Sequence, residues 1–332
     1  MKITLPRMYL SGFRAVLKEH KDKNYEMELL WIKRSGCKYR CMNFAYVAPG
    51  AFYYQPKIVD MYKACIAKDV GIFMDSSAFS FYQFLLKAGG KRAANKKVLS
   101  EKEFNKLRDK TVQQYVDFVK KDSKHWDFYA NFDYRKNCEL IWNMQKKLEG
   151  MGIAPAPVYH GDDSLDWFKR YCDNGYKIIC IGGFPINRRG FLPKRRFFEK
   201  LFKIAESYNV KLHGFAFTYI SSMLEFPWFA VDSATWAKTA AYGMILTPDN
   251  DRSVMRSIHV SDRHTNNRAS YNYMPKSIQR EIENVVEKAG FDFDMIRTSV
   301  YERCTYNAWV YTHLDQFVDL DYAKSDWEDL LG

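Results

Sequence analysis

The stretch Trp228-Phe229-Ala230-Val231-Asp232-Ser233-Ala234-Thr235-Trp236 is a short apolar run that follows a proline and stops on a carboxylate. A run bounded in this way reads as a strand covered on both faces, with Asp232 at its carboxyl end. The same grammar recurs in Gly71-Ile72-Phe73-Met74-Asp75-Ser76-Ser77-Ala78-Phe79 and in Trp126-Asp127-Phe128-Tyr129-Ala130-Asn131-Phe132-Asp133. Three strands are therefore expected to end on an aspartate.

Outward from these stretches the chain alternates. Met42 to Val47, Ala156 to His160, Tyr176 to Ile181, Val210 to Phe215 and Gly243 to Thr247 read as further strands. Helical spacing runs from Pro56 to Lys68, Cys138 to Gly150, Leu165 to Cys172, Lys194 to Tyr208, Tyr219 to Leu224 and Thr235 to Tyr242. Ser100 with Glu103 forms a capping box that opens another helix, with Phe104, Leu107, Tyr115 and Val119 on one face. Alternating β and α units imply parallel strands with right-handed crossovers, and eight of them suit a (β/α)8 TIM barrel. An open doubly wound sheet is the alternative, but no Gly-rich dinucleotide turn follows the first strand.

The first 35 residues carry no decisive pattern; Glu26 to Ile32 suits a strand or a short helix. Residues 1–248, N-terminal segment included, are expected to form the barrel, and 249–332 a helical extension packed on it. Two helices are expected in that extension, Pro275 to Ala289 and Met295 to Leu314.

With 332 residues, 47% of them hydrophobic, the chain has enough apolar material for a full core. No apolar run approaches a membrane span, and the charged start has no signal-peptide core, so a soluble cytoplasmic protein is expected. Seven cysteines without a disulfide-like rhythm fit a reducing compartment. The net charge of +12 points to a polyanionic partner, with nucleic acid first among the candidates.

Chemistry on a (β/α)8 barrel takes place where the strands' carboxyl ends open. Asp75, Asp133 and Asp232 would share that mouth with His160 and with turns at Gly161, Gly182-Gly183 and Gly214. Three basic loops follow strands: Lys87 to Lys97, Arg188 to Arg196 and Arg252 to Arg268. From them Lys91, Arg92, Arg188, Arg189, Lys194, Arg195, Arg252 and Arg263 are expected to contact phosphates. Positive loops around an acidic centre suit a nuclease, a nucleotide-processing enzyme or a base-exchange enzyme. Work on a base would require the nucleotide to be unstacked. Each feature has a plainer explanation: Asp75 and Asp232 precede serines where an aspartate can be a mere helix cap, and a lone His160 suits a structural imidazole. Cys37 with Cys41, Cys304 with His313, and His259 with His264 are too sparse for a zinc site, so no metal is expected.

Met-Asp-Ser-Ser-Ala-Phe (Met74 to Phe79) resembles the Asp-Ser-Gly-Gly-Phe signature of the tRNA-guanine transglycosylases. Val-Tyr-His-Gly, Ile-Gly-Gly-Phe and Leu-His-Gly-Phe-Ala-Phe-Thr follow in that family's order. Ala-Val-Asp-Ser-Ala-Thr-Trp is more similar still to the phage and bacterial branch that replaces guanine in DNA with a 7-deazaguanine. The resemblance covers about Phe44 to Pro248.

It implies that Asp232 attacks C1′ of the target nucleoside and holds the sugar covalently while the bases exchange, with Asp75 as general acid and base. It implies that Asp133 reads the guanine edge and that His160 stands where the transfer-RNA enzymes carry a base-contacting glutamine. Gly182, Gly183 and Gly214 match turns that approach the heterocycle, and Ser76, Phe79 and His213 belong to the matched substrate-binding motifs. The physics is compatible, since displacement at an anomeric carbon passes through an oxocarbenium-like state that a carboxylate stabilises and can capture.

The chain departs from the pattern in four places. Asp75 is not followed by paired glycines, Ala216 replaces a glycine common in the DNA branch, no Pro-Thr-Arg follows Asp232, and the four-ligand zinc cluster of the transfer-RNA enzymes is missing. No cofactor is expected, and the expected partners are guanine-containing DNA and a free 7-deazaguanine base such as 7-cyano-7-deazaguanine or a derivative. The alternatives are the same exchange on RNA, a barrel glycoside hydrolase, and a non-catalytic nucleic-acid binder.

Overall fold

The computed structural model describes residues 5–11, 24–88, 100–134, 137–161, 163–182, 194–217, 220–248, 255–262 and 270–316. Its parallel strands are β1 (Arg7–Leu10), β2 (Tyr39–Asn43), β3 (Gly71–Asp75), β4 (Phe128–Tyr129), β5 (Val158–His160), β6 (Ile178–Gly182), β7 (Lys211–Gly214) and β8 (Ala230–Ser233). They form one eight-stranded sheet in the order β4-β3-β2-β1-β8-β7-β6-β5. Parallel pairing sets Tyr9 opposite Asp232, Phe73 opposite Phe128, and His160 opposite Gly182. Helices connect the strands, as parallel order demands. No helix among the described residues is long and apolar enough to cross a membrane.

The chain divides into two compact units. One comprises Met1–Tyr39, Ile186–Lys203 and Gly214–Gly332; the other comprises Arg40–Pro185 and Ile204–His213. In the second unit Ile72, Phe73 and Met74 are all buried, which is why β3 reads as an unbroken apolar run. Phe73 stacks on Phe128 with centroids 4.7 Å apart. The helix Glu101–Asp122 opens with the expected capping box: the Ser100 hydroxyl accepts the Glu103 N–H at 3.3 Å, and the Ser100 N–H donates to the Glu103 carboxylate at 2.9 Å. It buries Val112, Tyr115, Val116 and Val119, the i, i+3, i+4, i+7 stripe of a core-facing helix. Ala130, directly after β4, and Ala156, two residues before β5, form a parallel bridge. It is fastened by Asn131 N–H to Ala156 O and Ala156 N–H to Tyr129 O, each 2.8 Å. In the first unit Trp228 is enclosed by Phe217, Phe202 and Phe198 at 4.7, 4.9 and 5.8 Å.

The structure corrects the sequence expectations at four places. Met244–Pro248 is a strand, but it pairs antiparallel with Met255–His259 in a separate two-stranded sheet. The eighth parallel strand is instead Arg7–Leu10, inside the N-terminal stretch that showed no pattern. Met42 to Val47 is not one strand: β2 ends at Asn43, whose side chain accepts the Ala45 N–H at 3.2 Å and starts the one-turn helix Phe44–Val47. The expected last helix is two, Phe293–Thr298 and Val300–Thr312, because Ser299 adopts an extended conformation and caps the second. Asn24–Ser35 is helical, and the helix Ala78–Ala88 had no sequence counterpart.

Candidate active-site carboxylates

In the second unit, Asp75 ends β3 and both of its carboxylate oxygens accept N–H donors. Oδ1 takes the Ser77 backbone N–H at 3.1 Å, and Oδ2 takes the Asn43 side-chain amide at 2.8 Å. Asn43 is fixed in turn. Its Oδ1 accepts the Ala45 N–H and a short bond from the Ser77 hydroxyl, so its nitrogen must face Asp75. The Ser77 oxygen also accepts the Ala45 N–H at 2.8 Å. Ser77 lies at φ +65°, in the left-handed region that favours glycine. The turn is held here without a glycine, and the Ser77 hydroxyl braces Asn43. Asp75 thus has a local turn partner, as the capping explanation requires, and a second partner 32 residues away, which that explanation does not require.

Ser76 is fully buried, and its hydroxyl meets no hydrogen-bond partner among the described residues. Phe79, in the first turn of Ala78–Ala88, is 75% exposed, while Ala78, Phe81 and Leu85 of the same helix are buried. A ring this exposed is available to stack on a flat ligand.

Asp133 lies beyond β4 rather than at its end, in a tight turn where its N–H donates to Asn131 O at 3.1 Å. Its Oδ2 is 2.9 Å from Nε2 of His160, the buried last residue of β5. Gly161 N–H donates to Gly182 O at 3.1 Å, which keeps the glycine at the end of β6 next to His160. Asp75 and Asp133 are both among the charges that act on Tyr115. Burial first, then the charges around it, those two carboxylates included, push the Tyr115 hydroxyl well above its ordinary value. The hydroxyl donates to Ala130 O at 2.6 Å. His213 is fully buried, with its ring 4.4 Å from Phe73 and 5.2 Å from Phe128, inside the aromatic packing of the sheet. Cys138 offers no thiolate at neutral pH, since burial and a hydrogen bond to Asp163 push it up to about 12.

In the first unit, Asp232 is 8% exposed in β8. Its Oδ1 accepts the Ala216 N–H at 3.1 Å, and its backbone O accepts the Phe217 N–H at 2.7 Å. It caps no helix. Ser233, the next residue, takes the Thr235 N–H at 3.0 Å on its hydroxyl and the Ser11 N–H at 2.9 Å on its backbone oxygen. Ala216, at φ +51°, forms the turn that aims its N–H at Asp232. Gly214 has a reason of its own: a Cβ would stand 2.8 Å from Phe217 Cδ2 and 3.2 Å from Trp228 Cζ3.

The structure thus brings Asp75, Asp133, His160 and Gly182 into one unit and sets Asp232 and Gly214 in the other. Of the expected phosphate contacts, Arg195 is engaged by Glu199 at 3.2 Å and by Glu225 in a shorter bond, and Lys194 is half-buried beside it. Gly183, Lys91, Arg92, Arg188, Arg189, Arg252 and Arg263 lie outside the described residues. Asn43 and Ser77 are the site residues that sequence reasoning missed. The only trace of Asn43 was an asparagine directly before an apolar run, a capping signal without a hint of its distant partner. Among the described residues no group of three His, Cys, Asp or Glu side chains is placed to hold a metal ion. No protein-family model matches the chain, and no curated protein matches it.

Proposed function

We propose that this chain is a DNA-guanine transglycosylase, exchanging guanine in DNA for a 7-deazaguanine base through a covalent Asp232–deoxyribose intermediate. The observation that carries the reading is the state of Asp232: a buried carboxylate at the carboxyl end of a parallel strand, with the Ala216 N–H donating to its Oδ1. Burying a carboxylate is costly, and the N–H of the helix that follows, at Thr235, goes to the Ser233 hydroxyl. We read the eight-stranded sheet as a closed (β/α)8 barrel, supported by the Ala130–Ala156 bridge between the strands at the two ends of its order. Closure would turn every strand's carboxyl end to one mouth. The reading requires Asp75, Asp133 and Asp232 to act there on one unstacked nucleotide.

The exchange then balances in two steps. An Asp232 oxygen bonds to C1′ as the C1′–N9 bond breaks; the bonding pair leaves with guanine, which takes a proton from Asp75. The incoming base gives its N9 proton back to Asp75 and bonds C1′ through N9, and the Asp232–C1′ bond breaks with its pair returning to the carboxylate. No proton is consumed. The Asn43 amide and the Ser77 N–H keep Asp75 in one orientation through both transfers, which proton transfer over hydrogen-bond distance needs. DNA is preferred because the Asp232 motif is most similar to the DNA-modifying branch, and the net charge of +12 suits a salt-sensitive polyanion. Incubation with guanine-containing DNA and a labelled 7-deazaguanine should leave label in the polymer. Label in transfer RNA alone would overturn the choice of polymer, and an Asp232→Ala protein that still incorporates label would overturn the mechanism.

A further inference from the structure

His160 stands where the resemblance implies a direct contact to the base, yet its surroundings give both ring nitrogens other places. Nε2 is 2.9 Å from Asp133 Oδ2, with the two side chains 7% and 21% exposed. A carboxylate accepts and does not donate, so the neutral ring that makes this bond carries its proton on Nε2. Nδ1 is shielded from solvent and has no hydrogen-bond partner among the described residues. The backbone on either side is pinned, His160 by its register with Gly182 and the following Gly161 by its bond to Gly182 O. Asp133 has no such support from a strand: it sits in the irregular turn after Ala130. A carboxylate on a turn samples several rotamers, and a charge-assisted bond to a buried ring holds one of them.

We propose that His160 is a positioning residue that sets the specificity of Asp133: by fixing Oδ2 it leaves Oδ1 presented as the acceptor for N–H groups on the edge of a purine. This rests on the reading above, in which Asp133 faces the guanine edge. An acceptor-only edge favours a base with N–H groups at N1 and N2 over one without the 2-amino group. The ring contributes through Asp133, and its removal loosens base binding while leaving the chemistry at C1′ intact.

The test uses the full chain, with His160→Leu, His160→Gln and Asp133→Asn. Exchange is measured with labelled 7-deazaguanine and with its analogue lacking the 2-amino group. Loss of one charge-assisted hydrogen bond should raise KM for 7-deazaguanine about 10- to 100-fold in His160→Leu, with kcat changing less than about threefold. The preference for the 2-amino base should shrink by about tenfold, and His160→Gln, which keeps a donor, should recover part of both. A fall in kcat at unchanged KM and preference would put His160 on the reacting atoms and overturn the proposal, as would kinetics identical to the wild-type protein. Nitrogen-15 spectra of the histidine side chains need no activity. A pyrrole-type Nε2 and pyridine-type Nδ1 at His160, both perturbed in Asp133→Asn, are expected, and signals indifferent to that change would overturn the bond itself. A wild-type protein that exchanges nothing would overturn the transglycosylase reading and the purine-edge assignment with it, while the spectra would still decide whether His160 and Asp133 are joined.

Discussion

Adding one methyl group at Gly214 should disturb the Asp232 turn more than the fold. The Cβ of Gly214→Ala would meet Phe217 Cδ2 at 2.8 Å, Phe217 Cγ at 3.4 Å and Trp228 Cζ3 at 3.2 Å. Neither ring has room to yield: Phe217 is fully buried, its centroid is 4.7 Å from that of Trp228, and Trp228 is backed by Phe202 at 4.9 Å. Overpacking of this kind costs about 1–3 kcal/mol. The alanine also restricts the unfolded chain, which returns about 0.4–1 kcal/mol. The net loss is about 0–2.5 kcal/mol, a fall in Tm of at most about 10 °C. The functional loss should be larger, because any shift of Phe217 moves the two N–H groups, Ala216 and Phe217, that hold Asp232 at 3.1 and 2.7 Å. Differential scanning calorimetry gives the first quantity, and base exchange well below Tm gives the second, expected to fall by about tenfold or more as misplaced catalytic groups do. Phe217→Ala in the same chain removes the struck Cγ and Cδ2 atoms, so the double variant, assayed below its own Tm, should recover activity relative to Gly214→Ala, with a coupling of at least about 0.5 kcal/mol. Wild-type Tm and exchange rate in Gly214→Ala, or strictly additive effects, would refute the packing argument.

At Ser77, glycine relieves the left-handed strain while alanine keeps it, and both lose the hydroxyl bonds to Asn43 and Ala45. Urea unfolding should therefore rank Ser77→Ala below Ser77→Gly by about 1 kcal/mol, and equal stabilities would contradict the assigned backbone. Glu149 links stability to acid. Burial alone would raise its carboxyl, but hydrogen bonds from Tyr176, Gln145 and Lys146 outweigh it and hold the group below its ordinary value. A depressed folded value means stability that is present above the unfolded pKa and lost as pH falls through the folded one. Unfolding free energy measured between about pH 5 and pH 3 should therefore decline less steeply in Glu149→Gln than in the wild-type protein. Identical slopes would show that this network contributes nothing.

Periodicity made the α/β class legible because most connecting helices carry a wide apolar stripe and most strands are apolar throughout. Cys138–Gly150 and Leu165–Asp173 fell within a residue of the expected bounds. The first strand escaped because Arg7-Met8-Tyr9-Leu10 is four residues long, and its identity rests on pairing with Ala230 to Ser233, more than 200 residues away. Met244 to Pro248 misled for the complementary reason. Its composition suits a buried parallel strand, and only its partner, Met255 to His259, makes it antiparallel. Asp75 and Asp232 were legible as carboxylates that end apolar runs. Asp133 was displaced from its expected strand end because pairing stops at Ala130, and nothing in Phe128-Tyr129-Ala130-Asn131 marks that stop. The Asn43–Asp75 and His160–Asp133 bonds join residues 32 and 27 positions apart, a distance over which local patterning carries no information.

Intact-protein and peptide mass spectrometry of the chain, denatured during turnover on guanine-containing DNA, addresses the bond on which everything else depends. The account predicts a deoxyribose-linked strand on the peptide containing Asp232, absent from Asp232→Ala and discharged by added 7-deazaguanine. Base exchange that proceeds with no adduct at Asp232, or with the adduct on another side chain, would contradict it.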